Sequence, residues 1–366
     1  MRGEFDIAGS LDSFQPESIV VKGRAKVNTA GGTITASNIL VKDGVYLTQV
    51  ATNNVRIQEL SPQIPKSFQG RLTGKFNLAG SLDSFAPESL IVSGKANLNT
   101  AVGKISVADI EFARGQYQAR VGVNNLELQQ LSPQIPKSFP GKLTGKFDIA
   151  GNTKSFADLT VSGNASINSA GGRISASDIM VYNGRYQAKV AANNLLVLQL
   201  SAQIPESFPG RLTGKFDVAG AVNNTEDLTV FGNASINAPG GNITATNIQL
   251  QNGRYQAAVN AVGVELNQLN QRLRGKFDGK LQVAGNWKNP TLAGAIASGK
   301  VQLSQGIPGF EQPINAVIAW TGNKLKIERA IAPGFNVSGD IFVNAKSAGM
   351  PEITQLNLNL QANKFN

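Results

Sequence analysis

The chain repeats itself. A Gly-x-Phe triplet falls at Gly3–Phe5, Gly74–Phe76, Gly145–Phe147, Gly214–Phe216 and Gly275–Phe277, at intervals of 71, 71, 69 and 61 residues. Tyr46, Tyr117, Tyr186 and Tyr255 keep step with it, as do the triplets Gln63-Ile64-Pro65, Gln134-Ile135-Pro136 and Gln203-Ile204-Pro205. Repetition of this kind constrains the fold more than any single motif, because each unit must bury its apolar face against copies of itself. The period exceeds that of the common solenoid repeats, roughly 20–50 residues. The units read as 1–73, 74–144, 145–213, a shortened 214–274 and a diverged 275–366, strung along one continuous elongated domain.

Within a unit four segments alternate with period two, the pattern of half-buried strands. In the second unit Phe76 and Leu78 share a face opposite Lys75 and Asn77, and Leu90, Val92 and Leu98 oppose Ser93, Lys95 and Asn97. The third segment starts Ile105, Val107 and continues Ile110, Phe112, so its parity flips at Ala108-Asp109. The fourth reads Tyr117, Val121, Val123 and flips at Asn124-Asn125 before Leu126 and Leu128. A β-bulge adds one residue, keeps the apolar set on one face and bends the strand. Glycines at inward slots, Gly74 and Gly94 among them, permit further curvature. Pro-bearing stretches such as Ser132–Lys137 read as connections, and no segment has helical periodicity.

These features predict an all-β fold of bent antiparallel strands, curled into a U-shaped groove with an apolar lining. About 20 strands at about 4.8 Å each would extend on the order of 100 Å. The predicted lining comprises Phe76, Leu78, Leu90, Val92, Leu98, Ile105, Val107, Ile110, Phe112, Tyr117 and Val121. In later units it continues through Phe147, Ile149, Ile174, Ile179, Val181, Tyr186, Val190, Phe216, Ile243, Ile248 and Tyr255.

Composition removes much catalytic chemistry. With neither histidine nor cysteine there is no imidazole base or ligand, no thiolate site and no disulfide. Asp6, Asp148 and Asp217 recur, but Asn77 fills the same slot in the second unit, so they read as a solvated face and not as an acid–base pair. Gly294-Ala295-Ile296-Ala297-Ser298-Gly299-Lys300 copies most of a phosphate-binding loop, yet Val301 replaces the required hydroxyl and the run alternates like a strand. The double glycines Gly31-Gly32, Gly171-Gly172 and Gly240-Gly241 read as hairpin turns, and the sequons at Asn164 and Asn233 as chance in an Asn-rich chain. No metal, cofactor or enzymatic activity is expected. A net charge of +10 favours anionic partners. Arg71, Lys75, Lys142, Lys146, Arg211 and Lys215 on outward slots serve solubility and edge protection, or form a stripe for anionic headgroups. The aromatics occupy apolar slots, so no base-stacking platform and no nucleic-acid partner is expected.

The alternating strands with Asn, Gly and Thr outside, the Gly145-to-Gly151 opening (Gly-Lys-Phe-Asp-Ile-Ala-Gly) and the run from Gly285 through Pro290 and Leu292 to Gly294 resemble the TamB family, within the AsmA-like, bridge-like lipid-transfer group. The near-identical repeats look most like cyanobacterial members, related to a plastid inner-envelope translocon component. The resemblance spans essentially the whole chain, as an internal fragment. It lacks the family's N-terminal inner-membrane anchor and its C-terminal domain. It implies a periplasmic bridge, anchored in the inner membrane in its full-length form, that shields phospholipid acyl chains between inner and outer membranes in outer-envelope biogenesis. It also implies an outer-membrane barrel partner of the BamA/TamA type.

Three other readings remain open at this level: a protein-translocation or outer-membrane protein assembly factor, a passive structural or adhesive β-solenoid with a filled core, and a transmembrane barrel. The barrel is disfavoured by 5 Tyr and 2 Trp, too few for two aromatic girdles.

Overall fold

The computed structural model describes residues 1–9, 19–29, 31–60, 69–84, 86–130, 141–199, 209–269, 273–287, 291–305, 312–344 and 352–363. The Gln-Ile-Pro triplets and Ser132–Lys137 lie outside them. The strands are β1 (Arg2–Ala8), β2 (Val20–Asn28), β3 (Thr33–Lys42), β4 (Val45–Arg56), β5 (Gly70–Ser81), β6 (Ile91–Thr100), β7 (Gly103–Ala113), β8 (Gln116–Glu127), β9 (Lys142–Asn152), β10 (Thr160–Ser169) and β11 (Gly172–Tyr182). They continue as β12 (Arg185–Leu196), β13 (Arg211–Ala221), β14 (Asn224–Ala238), β15 (Gly241–Gln251), β16 (Arg254–Glu265), β17 (Lys276–Asn286), β18 (Ala295–Ser304), β19 (Ile314–Trp320), β20 (Lys324–Ala332), β21 (Phe335–Asn344) and β22 (Glu352–Ala362). One short helix, α1 (Leu266–Leu269), follows β16. No helix among the described residues is long and apolar enough to cross a membrane.

The all-β expectation holds: 22 strands form one antiparallel sheet. It is open, with β1 laddered to β2 at one end and β22 to β21 at the other, not the closed cylinder of a barrel. The chain falls into two compact units, Met1–Ala170 with Ser175–Tyr186, and Gly171–Ile174 with Gln187–Asn366.

Local sequence explains the bends. Asn38, Asp109, Asp178 and Asn247, at the first parity flip of each repeat, have φ of 52°, 49°, 53° and 53°. Asn54, Asn125, Asn194 and Gly263, at the second, have φ of 59°, 53°, 53° and 62°. Asn, Asp and Gly tolerate this left-handed conformation best. The β7–β8 register slips between Ala108 and Glu111, and the β8–β9 register between Val123 and Leu126. Both predicted flips are therefore bulges. Side chains on the neighbouring strand catch the displaced amides. The Asn54, Asn125 and Asn194 N–H groups donate to Thr73, Thr144 and Thr213 Oγ1 at 3.1, 3.2 and 3.3 Å, and Gly263 N–H to Asp278 Oδ1 at 2.8 Å. At the first bulge, Asp178 and Asn247 N–H donate to Asn164 and Asn233 Oδ1, which gives both sequon asparagines a structural role.

The third and fourth strands of each repeat meet at Asp43-Gly44, Arg114-Gly115, Asn183-Gly184 and Asn252-Gly253, where both residues have positive φ. That is the type I′ turn, whose twist matches paired strands. The fifth Gly-x-Phe anchor sits out of register with the others. Val121 pairs with Phe147, but its counterpart Val259 pairs with Leu281, so Gly279-Lys280-Leu281 replaces Gly145-Lys146-Phe147. Gly275–Phe277 lies four residues earlier on the chain, with Phe277 opposite Val264.

Candidate functional site, the apolar face of the sheet

Cross-strand pairing gathers the predicted lining into rows. In the first unit Leu78, Val92, Phe112 and Tyr117 form one row, Val107, Val121 and Phe147 a second, and Leu98, Ile105 and Val123 a third. Phe76 pairs with Gly94 and Gly94 with Ile110, Ile149 lies between Ala119 and Val161, and Leu90 stands immediately before β6. Ile179 and Val181 belong to β11 in this unit, and Tyr186 to β12. In the second unit Phe216, Gly232 and Ile248 form a row, Ile243 faces Ala261, and Tyr255 joins Leu250 to Gly285. Ile174 and Val190 lie on β11 and β12. All twenty-two residues are half-buried, none dry and none fully exposed.

The inward glycines have a second use beyond curvature. The Phe76 ring lies against Gly74 and Gly94: a Cβ would stand 2.8 Å from the ring at the first, and at the second 2.9 Å from the ring and closer still to the Lys75 carbonyl oxygen. Phe147 covers Gly145 and Gly163 in the same way, and Phe216 covers Gly214 and Gly232. Tyr46, Tyr117 and Tyr255 reach across Gly80, Gly151 and Gly285. The rings thus occupy the space that side chains at these glycines would take, the arrangement known as aromatic rescue of glycine. Small residues make the floor beside them. In the first unit Thr52 and Ala96 flank Gly74 and are buried. In the second a row runs Ala261, Gly279, Val301, Ala316, Ala330, Val337, of which Ala261, Val301, Ala330 and Val337 are buried side chains.

The driest side chains lie elsewhere. Val55, Leu126, Leu195, Val197 and Val264 are 0–2% exposed, and all follow the second bulge of their repeat. There the strand re-enters the ladder, Val55 opposite Leu72, Leu126 opposite Leu143 and Val264 opposite Phe277, and its end is held from both sides. Glu127 N–H donates to Val102 O at 3.1 Å and Leu128 N–H to Gly141 O at 3.0 Å. In the second unit Val197 N–H donates to Gly210 O and Leu266 N–H to Gly275 O, each at 3.0 Å. This crossing explains one glycine of each hairpin. A Cβ at Gly103 would lie 2.6 Å from Leu126 Cα, at Gly172 2.6 Å from Leu195 Cα and at Gly241 2.5 Å from Val264 Cα. The sequence marks Leu126 and Leu128 as apolar but carries no sign that they form plugs along one rim.

The outward face is largely polar but also carries apolar side chains, Ile91, Met180, Val262 and Ile331 among them. Tyr182, Phe231 and Trp287 are 59%, 42% and 52% exposed, so not every aromatic sits in an inward slot. Tyr182 and Phe231 take strand positions where alternation favours the solvent side, and Trp287 stands in the turn after β17. The outward Arg71 and Arg211 are tied to the bulges, Arg71 Nη1 donating to Asn54 O at 3.2 Å and Arg211 Nη1 to Asn194 O at 3.1 Å. Arg120 stands between Asp109 at 3.0 Å and Asp148 at 3.5 Å, so Asp148 is an ion-pair partner on a solvated face. Glu88 is held below its usual carboxylate range by its own backbone N–H and by Lys154, 3.4 Å away. Gly294 closes a short turn and Gly299 and Lys300 lie within β18, so no strand-to-helix loop forms there. Among the described residues no acidic cluster is placed to hold a metal ion.

What this face offers is apolar area repeated strand after strand, with no single point where polar groups converge. The chain matches no family model, no characterised protein and no solved structure against which it was compared.

Proposed function

We propose that the chain is a non-enzymatic conduit whose apolar face shields phospholipid acyl chains, in a periplasmic bridge between inner and outer membranes. One observation carries this reading: the twenty-two predicted lining residues are half-buried throughout, while the driest side chains lie in the rim plugs, with further buried positions in the small-residue floor and at Leu250 and Ala332. A face that the protein finished covering with itself would have lining residues as dry as Leu126. Apolar contact is non-directional and scales with area, so a repeated lining gives an acyl chain equivalent positions along its path. Rings lying over glycines keep bulk out of that path. The resemblance to the TamB family supports the same reading, including an inner-membrane anchor and an outer-membrane barrel partner for the full-length protein.

A filled β-solenoid is the second reading. The buried Ala261–Val301–Ala330–Val337 row favours it for the second unit. Extraction of the purified chain followed by native mass spectrometry separates the two. The conduit predicts copurified phospholipid, lost when Val121→Asp puts an uncompensated charge on the lining, at a cost of several kcal/mol if it stays dry. A chain that copurifies no lipid after expression in an envelope-bearing host contradicts the conduit.

A further inference from the structure

The outward face of the second unit carries a cluster that neither the lining nor the plugs use. β16 to β20 bring Asn260, Lys280, Lys300, Val317 and Arg329 into one cross-strand row, each paired with the next. Residues paired in this way share a face, with neighbouring strands about 4.8 Å apart. Lys280 therefore stands directly opposite Lys300, a like-charge pairing that destabilises a sheet. All three cations are exposed. None has a carboxylate partner among the described residues, whereas Arg24 is paired with Glu4, and Arg120 with Asp109 and Asp148.

The row lies in a concavity of ≈ 490 Å³. Asp278 is its only acidic lining residue, and one carboxylate oxygen is already engaged by the Gly263 amide. Gln302 and Asn315 add an amide pair, Gln302 Nε2 donating to Asn315 Oδ1 at 2.9 Å. Val262 and Ile331, 53% and 40% exposed, form apolar shoulders on the same concavity. The first unit provides a comparison. Lys75 faces Lys95 in a similar concavity, but Asp109 lines it and no third cation does.

We propose that Lys280, Lys300 and Arg329 form a binding site for a phosphate group on the outward face of the second unit, separate from the apolar lining. Two ammonium groups and a guanidinium in a shallow bowl suit an anion that presents several acceptor oxygens, and phosphate does so in the geometry arginine recognises. Binding relieves the Lys280–Lys300 repulsion that the empty site bears. The apolar shoulders accommodate whatever carbon skeleton carries the phosphate.

The test titrates the whole chain by calorimetry with inorganic phosphate, and by flotation with vesicles of equal parts phosphatidylcholine and phosphatidylglycerol against phosphatidylcholine alone. Lys300→Gln and Arg329→Gln are each compared with Lys95→Gln, all three shown to be folded by circular dichroism. Loss of one charged contact should weaken binding about tenfold or more in the first two variants and leave the third near wild type. Phosphate binding with that pattern supports a site for a free phosphate group. Vesicle binding with that pattern, without binding of the free ion, supports the same site reading a lipid headgroup. Binding of neither probe overturns the proposal, as does an equal loss in all three variants, which would mark net charge instead of a site. Val121→Asp should leave this binding unchanged, so failure of the conduit and failure of the phosphate site are separable.

Discussion

Leu126 and Val121 lie on the same strand and are both apolar, yet the first is 1% exposed and the second only half-buried. The difference is one bulge. Before Asn125 the strand presents its side chains to the open side of the sheet. After it, the backbone runs against the neighbouring hairpin, with Leu126 over Gly103 and Leu128 over Gly141. Stability is thus concentrated in the rim plugs, and the wall between them keeps apolar area that the fold does not consume.

Breaking a plug should cost most. Leu126→Ala removes a dry side chain from a site fixed by backbone on both sides, and about 2–5 kcal/mol should be lost in urea unfolding. Val121→Ala on the wall should cost about 1 kcal/mol or less, since little of it leaves water. Equal losses would erase the distinction between plug and wall. Gly103→Ala attacks the plug from beneath, with φ at 153° and a Cβ 2.6 Å from Leu126 Cα. About 3 kcal/mol is expected there, because backbone must move.

The wall should yield more easily. Gly74→Ala pushes on the Phe76 ring at 2.8 Å, which can swing off the floor, and on the Lys95 backbone oxygen at 2.9 Å, which must shift slightly, so about 1–3 kcal/mol should be lost. The same variant should change the near-ultraviolet aromatic signal or ring-current shifts. Thr52→Val should do the opposite. Thr52 Oγ1 is buried without a hydrogen-bond partner, and the equivalent slot of the next repeat holds Val123. Removing an unsatisfied hydroxyl there should raise stability by about 1 kcal/mol.

The smallest effect is electrostatic. The folded-state pKa of Glu88 lies below its ordinary value of 4.5, so its contribution is present above that value and lost as pH falls through the lowered one. Glu88→Gln should lower stability slightly at neutral pH, where the contribution is present, and flatten the decline below pH 4.5. Lys154→Gln should do the same in part.

Much of this architecture was legible because it follows from period and parity. The alternation of Tyr117, Val121 and Val123 and the flips at Asp109 and Asn125 specify strands, bulges and a single apolar face without any tertiary information. The dipeptides Asp43-Gly44, Asn183-Gly184 and Asn252-Gly253 are also strong turn signals in their own right. The plugs were not legible, because Leu126 is dry through what crosses it, and nothing in its own neighbourhood of sequence names the partner. The fifth anchor misled for a similar reason: Gly275–Phe277 copies the triplet, but the ladder aligns on Gly279. Thr73, Thr144 and Thr213 looked like ordinary outward residues, and only the bulge geometry gives them a partner.

The central claim is that the wall holds acyl chains while the plug and the outward face do not. A photo-reactive residue placed in turn at Val121, Leu126 and Arg120 of the chain, expressed in an envelope-bearing host, tests it directly. Illumination should yield phospholipid adducts at Val121 and none at Leu126 or Arg120. An absence of lipid at Val121, or equal labelling at Arg120 on the opposite face, would contradict the account.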